Sequence, residues 1–169
     1  MDNENKQPYL SDGSKPNAGR IYDYLLGGHH SFEVDRKVAE DLKKMAPFVS
    51  DQVKYIRWFL QEAIRRLLEQ GFTKFIDFAS GLPTVDHIHR QAPEGTKIIY
   101  SDIDPITVET GREIIGDNPF VKYELCDIRK PETLLESDTV KSFFGNDHKV
   151  AIGFSGIFWF LKNEDINHA

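Results

Sequence analysis

Three aspartates stand at the ends of three successive predicted strands. Asp77 lies in the last part of the first strand, Asp102 lies at the end of the second, and Asp127 follows the third. A carboxylate accepts hydrogen bonds from hydroxyl and amino groups. In an open parallel sheet, ligands bind beyond the carboxyl ends of the strands. The order of these residues therefore predicts that the three side chains face one binding site.

The segment after the first strand is made of small residues. Ala79, Ser80 and Gly81 would let the backbone approach a ligand closely. A helix predicted to start near Pro83 would then offer free N–H groups to a carboxylate or phosphate. Only one glycine of a full GxGxxG pattern is present, which disfavours a dinucleotide such as NAD. An ordinary strand-to-helix turn remains the alternative for this segment.

The next two strand ends carry residues that suit a nucleoside. Asp102 can accept hydrogen bonds from both ribose hydroxyls, with Ile103 as a neighbouring contact, whereas Asp104 is better placed as a helix N-cap. Asp127 can accept from an adenine amino group, and Ile128 can pack on the ring. Taken singly, each could be a capping or turn residue. Three consecutive strand ends with aspartate form a more specific pattern.

Several other residues have two open interpretations. His29 and His30 could enter an active site as a general base, or lie in a solvated loop. Tyr22 could close over a ligand as a lid on the acceptor side, or pack its helix against the sheet. His87 and His89 are two residues apart on a predicted helix and so face different sides. No metal site is therefore predicted there.

Three helices are predicted before the first strand, over 17–26, 34–45 and 51–70. Residues 1–16 are polar, contain prolines and are predicted to be a flexible tail. The third helix has the strongest pattern, and Gly71 suits its end. Its apolar stripe consists of Val53, Ile56, Leu60, Ile64, Leu67 and Leu68.

The rest of the chain alternates between strands and helices. Such alternation predicts a parallel sheet with helices on both faces. We expect one domain over 17–169, with helices over 17–71 and the sheet over 72–169. The predicted strands are 74–79, 97–101, 121–125 and 150–154, and the predicted helices between them are 84–91, 104–116 and 131–144.

Composition restricts the partners and the location. The chain has 169 residues, of which 40% are hydrophobic and 28% charged, with a net charge of −6. An acidic balance disfavours a nucleic-acid partner, which needs a basic surface. The single cysteine allows no disulfide framework. We find no secretory signal and no apolar run long enough to span a membrane, so we expect a cytoplasmic protein without a membrane partner.

Two motifs connect the chain to a known family. Residues 20–28 read RIYDYLLGG, Asp35-Arg36 follows, and residues 80–84 read SGLPT. The segments 102–105 and 127–131 continue the pattern in the same order. Together they resemble the bacterial S-adenosyl methyltransferase family that was long known only as a domain of unknown function. The resemblance covers about residues 16–166.

The resemblance implies a Rossmann-like class I methyltransferase fold with an N-terminal helical extension, and S-adenosyl-L-methionine as the cofactor. By motif, Ser80 and Gly81 would line the methionine part of the cofactor and Asp77 would orient its amino group. Asp102 would hold the ribose and Asp127 the adenine. The implied reaction is methyl transfer to a small-molecule acceptor whose identity the sequence leaves open.

Two departures from the family pattern stand out. Ser31 precedes Phe32 where relatives often carry Asn or Asp, and relatives continue with further strands. We therefore expect a sheet truncated after its fourth strand, with an open edge that could support a homodimer. The alternative function is a degenerate, non-catalytic module that binds cofactor weakly or associates with another chain. The apolar residues expected to lack partners are Phe154, Ile157, Phe158, Trp159 and Phe160.

Overall fold

The computed structural model of the protein describes residues 13–145, 149–157 and 161–166. The predicted tail, apart from its last four residues, and the predicted apolar residues Phe158–Phe160 lie outside this part. The helices and strands are α1 (Ala18–Leu25), α2 (Glu33–Met45), α3 (Val49–Glu69), β1 (Lys74–Asp77), α4 (Ile88–Gln91), β2 (Lys97–Asp102), α5 (Pro105–Ile115), β3 (Val121–Leu125), α6 (Glu132–Leu135), α7 (Asp138–Phe144), β4 (Ala151–Gly153) and α8 (Asn163–Ile166).

The four strands form one parallel sheet in the order β3-β2-β1-β4. Neighbouring residues of β1 point to opposite faces, so Phe75 and Ile76 belong to two separate apolar clusters. The Phe75 cluster contains side chains from α3, α4 and α5, and the Ile76 cluster contains side chains from α6 and α7. The predicted parallel sheet with helices on both faces is thus confirmed.

Residues 17–45, which include α1 and α2, form a helical cap around a buried ion pair. Arg20 Nε lies 2.6 Å from Asp35 Oδ2, and both side chains are almost completely buried. The backbone N–H groups of Asn17 and Phe32 each donate to the same carboxylate at 2.9 Å. Burial tends to raise the pKa of Asp35, but the hydrogen bonds from Arg20 and the two backbone groups outweigh it and hold that pKa below its usual value.

The predicted helix 84–91 is wrong over its first half, because helix begins only at Ile88. Leu82 and Pro83 are buried, and the Thr84 hydroxyl is held by Asp23 of α1, so tertiary contacts keep this stretch out of the helix. His87, predicted within the helix, is instead its N-cap. No helix N-terminus therefore follows the small-residue segment directly.

The predicted helix 131–144 is divided into α6 and α7. Ser137 has extended backbone and its side chain accepts a hydrogen bond from the N–H of Val140, so it begins a new helix.

The first strand is also shorter than predicted, because Ala79 adopts a left-handed φ of 50° and turns the chain. The helix cap at Asp104 is confirmed by the N–H of Ile106, which donates to Asp104 Oδ1 at 3.2 Å.

Strand β4 lies at one edge of the sheet formed by the described residues. It pairs with β1 over three residues, and Ile152 in its centre is 47% exposed. Within the described residues, none of the helices combines the length and apolar character that crossing a membrane requires.

Candidate functional site

A cleft of about 480 Å³ opens at the carboxyl ends of β1, β2 and β3, beneath the first turn of α1. Every residue predicted to bind the cofactor lines it, and Tyr22 of α1 does so as well. Side chains distant in sequence therefore converge on one site, as the order of the strands predicted. The predicted residues that line the cleft are Asp77, Ala79, Ser80, Gly81, Asp102, Ile103, Asp127 and Ile128.

The turn after β1 is fixed by contacts on both sides. The Ser80 hydroxyl donates to the Asp77 carbonyl at 2.5 Å, and the Tyr123 hydroxyl donates to the Gly81 carbonyl at 2.5 Å. Gly81 has a φ of 62°, which favours glycine, and a Cβ there would lie 3.4 Å from the Cα of Gly19. The backbone of α1 therefore rests directly on the turn and closes the cleft from above.

Asp102 is held so that both of its oxygens face defined donors. The N–H of Gly81 donates to Oδ2 at 3.1 Å, and the N–H of Asp104 donates to Oδ1 at 3.0 Å. Burial raises the pKa of Asp102 above its usual value, although these two bonds act in the opposite direction. Each carboxylate oxygen can accept more than one hydrogen bond, so Asp102 retains capacity for hydroxyl donors from a ligand.

Asp127 differs from Asp102 because a neighbouring guanidinium covers it. Arg129 Nε lies 2.9 Å from Oδ1, and its Nη2 lies 2.5 Å from Oδ2. The side-chain hydrogen bonds from Arg129 lower the pKa of Asp127, so the carboxylate stays charged. The sequence predicted Asp127 as an acceptor but not its partner Arg129, which also lines the cleft.

Asp77 is the most unusual group in the cleft. Its side chain is 2% exposed, and its Oδ1 has no hydrogen-bond partner among the described residues. Burial raises its pKa to about 7, although the charge of Arg57 opposes the rise. Such a group is a candidate for ligand binding, because an unpartnered buried carboxylate oxygen is costly unless a ligand bonds to it.

His87 closes the inner end of the cleft beside Asp77. Its Nδ1 accepts a hydrogen bond from the N–H of Ile88, which places the ring proton on Nε2. That nitrogen lies 3.7 Å from Asp77 Oδ2 and 3.4 Å from the carbonyl oxygen of Ser80. Burial, and next the charge of Arg57, hold the pKa of His87 well below its usual value, so the ring is neutral.

Arg57 reaches the cleft from α3 and is only 7% exposed. Its Nε has no hydrogen-bond partner in the described chain, and its guanidinium lies 5.6 Å from the ring centre of Tyr22. Arg57 was not among the predicted site residues, although the sequence contains a signal for it. Arg57 lies four residues after Val53 and three before Leu60, and so falls on the apolar stripe of α3.

The structure does not bring His29 and His30 into the cleft. Both are exposed and line a separate depression together with Phe32 and Leu82. The N–H of His30 donates to Asp23 at 3.0 Å, which holds this loop on the outer side of α1. Their predicted entry into the active site as a base is therefore not supported by their position.

Asp23 joins the two sequence motifs to each other. Its carboxylate accepts from the hydroxyl of Thr84, which lies in the SGLPT segment. Gly28 packs so closely on this carboxylate that any Cβ at that position would overlap it. The conformation of the turn after β1 is therefore connected directly to the RIYDYLLGG segment, through a side chain that is 2% exposed.

No group of three His, Cys, Asp or Glu side chains that could hold a metal ion is found in the described ranges. His87 and His89 instead pack their rings edge-on against Tyr100.

A model of the S-adenosyl methyltransferase family matches residues 4–169. The chain belongs to this family. S-adenosylmethionine, the cofactor implied by the sequence resemblance, is therefore the cofactor of the family to which the chain is assigned. No similar sequence was found among functionally curated proteins.

Two solved structures resemble this S-adenosyl methyltransferase family member. A candidate methyltransferase from Thermobifida fusca YX is 33% identical with a TM-score of 0.85, and the match covers 92% of this chain. A DUF574 family protein from Streptomyces avermitilis MA-4680 is 24% identical with a TM-score of 0.80, over 91% of this chain. The chain spans 60% and 61% of the lengths of these two proteins. The fold shared with them confirms the predicted methyltransferase architecture.

Proposed function

We propose that the cleft binds S-adenosylmethionine and that the chain takes part in methyl transfer to a small-molecule acceptor. One observation carries the proposal. Aspartates from three strand ends converge on a single cleft of about 480 Å³, and one of them presents a buried oxygen that has no partner within the described part of the chain. That arrangement matches a ligand with separate amino, hydroxyl and ring-amino donors.

The residues present fit the cofactor. The unpartnered Oδ1 of Asp77 can accept from an ammonium group, and Asp102 has remaining acceptor capacity for ribose hydroxyls. Ala79, Ser80 and Gly81 keep the turn narrow enough for close approach. Asp127, held ionised by Arg129, can accept from an adenine amino group.

The cofactor, when bound, supplies an electrophilic methyl group on a sulfonium. The chain's own residues then have to bind the cofactor, orient it and exclude water. The first turn of α1 covers the cleft, because Gly19 rests on Gly81. A small acceptor suits this enclosed geometry better than a polymer, and the net charge of −6 disfavours nucleic acid.

Calorimetric titration with S-adenosylhomocysteine tests the binding. We expect heat with this ligand and none with NAD. The Asp102→Asn variant should bind about 10- to 100-fold more weakly, because charge-assisted hydrogen bonds to the ribose are lost. Asp117→Asn, at an exposed position, is the matched control and should bind like the wild type. Heat with NAD and none with S-adenosylhomocysteine would overturn the proposal.

Association through the sheet edge is a second candidate function, favoured by the exposure of Ile152 on β4. A second copy of the chain could pair there and form a homodimer. Light scattering over a range of protein concentrations should then show a mass that rises towards a dimer, and Ile152→Lys should suppress it. A constant monomer mass would contradict this candidate.

A further inference from the structure

The first turn of α1 covers the cleft, and a side-chain hydrogen bond holds it in place. Asn17, Ala18 and Gly19 line the cleft from the cap side. The side chain of Asn17 donates from Nδ2 to Asp104 Oδ2 at 2.9 Å. Asp104 follows β2, caps α5 and also lines the cleft. The bond therefore joins the cap to the sheet across the rim of the cleft.

Asp104 connects this bond to the carboxylate that is proposed to bind the ribose. Its N–H donates to Asp102 Oδ1 at 3.0 Å, and its own Oδ1 accepts from the N–H of Ile106 at 3.2 Å. Its Oδ2 accepts from the Thr107 hydroxyl at 2.8 Å as well as from Asn17. Asp104 is also buried, with 6% of its surface exposed. The acceptor is therefore fixed on the sheet side, and the bond breaks when Asn17 moves away.

The two ends of α1 are held by different kinds of contact. At the C-terminal end, Leu25 packs with Ala39 of α2 and Val53 of α3 in a buried apolar cluster. At the N-terminal end, the half-buried Asn17 bonds to Asp104, and the backbone rests on the turn after β1. Segments that open locally have few buried apolar contacts and hydrogen bonds close to solvent. The Asn17 end is therefore the end of α1 that lifts more easily.

We propose that the bond between Asn17 and Asp104 is a latch, which opens to let the cap tilt and the cofactor pass, and closes over the bound cofactor. This inference rests on the proposed function. The N–H of Asn17 also donates to Asp35 within the cap, so the first turn of α1 and the start of α2 lift together. Asn17 thus controls how fast the cofactor enters and leaves, while the residues at the strand ends control how tightly it is bound.

Asn17→Ser removes the latch alone. Serine and asparagine are equally good helix N-caps, so the bond from the N–H of Arg20 is retained, and the bond to Asp35 comes from the backbone. One hydrogen bond to a charged group shifts an opening equilibrium about 10- to 100-fold. The association and dissociation rate constants of S-adenosylhomocysteine should both rise by that factor, and its Kd should stay within about 3-fold of the wild-type value. Surface plasmon resonance on the immobilised chain measures both rate constants.

Asn17→Asp is the second variant, and it also replaces Asn17→Ser if that protein shows no thermal unfolding transition. It keeps the N-cap and the shape of the side chain but places a second carboxylate against Asp104. Repulsion opens the latch further, so both rate constants should exceed those of Asn17→Ser. Asn118→Ser and Asn118→Asp are the matched controls, because Asn118 is half-buried, accepts from the N–H of Phe120 and precedes β3 at the opposite edge of the sheet. Both controls should leave the rate constants unchanged.

Faster dissociation with an unchanged association rate constant would show that Asn17 is an ordinary binding contact, and would overturn the inference while leaving the proposed function intact. Unchanged rate constants in both Asn17 variants would do the same, because the cofactor would then enter without movement of the cap. Failure of the wild-type chain to bind S-adenosylhomocysteine would reject the proposed function and the inference with it. A parallel rise of both rate constants supports both.

Discussion

The helical cap and the strand-end cleft both bury carboxylates, but they treat them in opposite ways. In the cap, the carboxylate of Asp35 is bonded by Arg20 and by two backbone N–H groups. In the cleft, Asp77 is equally buried and one of its oxygens has no partner in the described chain. The pKa of Asp35 is lowered and that of Asp77 is raised to about 7.

The difference separates structural charges from binding charges. A buried charge that is fully bonded stabilises one conformation, whereas a buried charge with a free lone pair remains available to a ligand at a cost in stability. The cap residues of the RIYDYLLGG motif thus hold α1 on the turn after β1. Among the described residues, Asp77 Oδ1 has no such bond and stays available to a ligand in the cleft.

Breaking the cap's ion pair should produce the largest effect on the free energy of unfolding. Arg20→Met leaves the Asp35 charge buried without its main partner, and should cost about 3–5 kcal/mol. Urea denaturation measures this from the midpoint at constant slope. Lys44→Met, on the exposed face of α2, should leave the midpoint unchanged.

The pH dependence of the same pair has a defined sign. The folded-state pKa of Asp35 is depressed, so its contribution is present above its unfolded value near 3.8 and disappears as the pH falls through the lower folded value. A midpoint in Arg20→Met equal to that of the wild type would contradict the structural role given to the cap.

A smaller loss of stability is expected when the hydrogen bond between the two motifs is removed. Thr84→Val removes the hydroxyl that donates to the buried Asp23 and leaves that oxygen without its donor, at a cost of about 1–3 kcal/mol. Thr84→Ser retains the hydroxyl and should restore most of the stability. Thermal unfolding of the three proteins measures the series. A serine variant as unstable as the valine variant would show that packing, and not the hydrogen bond, matters there.

A pH-dependent change in stability is expected at Asp77, and its sign should be opposite to that of Asp35 in the cap. The folded-state pKa of about 7 exceeds the unfolded value of 3.8, so wild-type stability falls as the pH rises between these values. Asp77→Asn does not titrate. Its stability relative to wild type should therefore increase from about pH 5 to about pH 8, as followed by melting temperature.

Asp117→Asn serves as the control for that pH series, because the side chain is exposed and should show no trend. A relative stability of Asp77→Asn that falls with rising pH would mean that Asp77 is bonded like Asp35. The contrast between cap and cleft would then no longer hold.

Elements with a clear periodic spacing of apolar residues were predictable from the sequence. Elements whose conformation is held by tertiary contacts were not. Strand 121–125 matches β3 because alternation fixes both its length and its buried face. The predicted helix 84–91 lost its first half because Thr84 bonds to α1, a contact between residues that are 61 apart in sequence. Ser137 divided a predicted helix because its side chain caps a new one.

The sequence by itself determined the parallel sheet and the three aspartates that meet in the cleft. Strand ends of a parallel sheet meet at one edge, so the order Asp77, Asp102, Asp127 was sufficient to bring these side chains together. Family membership followed from motifs with fixed spacing.

Only the tertiary structure decided which charges are bonded and which are free. A helical pattern shows that Arg57 faces inward, but not that it faces Asp77, because the element against which a helix packs is set by contacts distant in sequence. Likewise, the sequence does not show that Arg20 bonds to Asp35, although this pair consists of the same two residue types as Arg57 and Asp77. Hydrogen bonds depend on distances of a few tenths of an ångström, and residue spacing alone does not fix them.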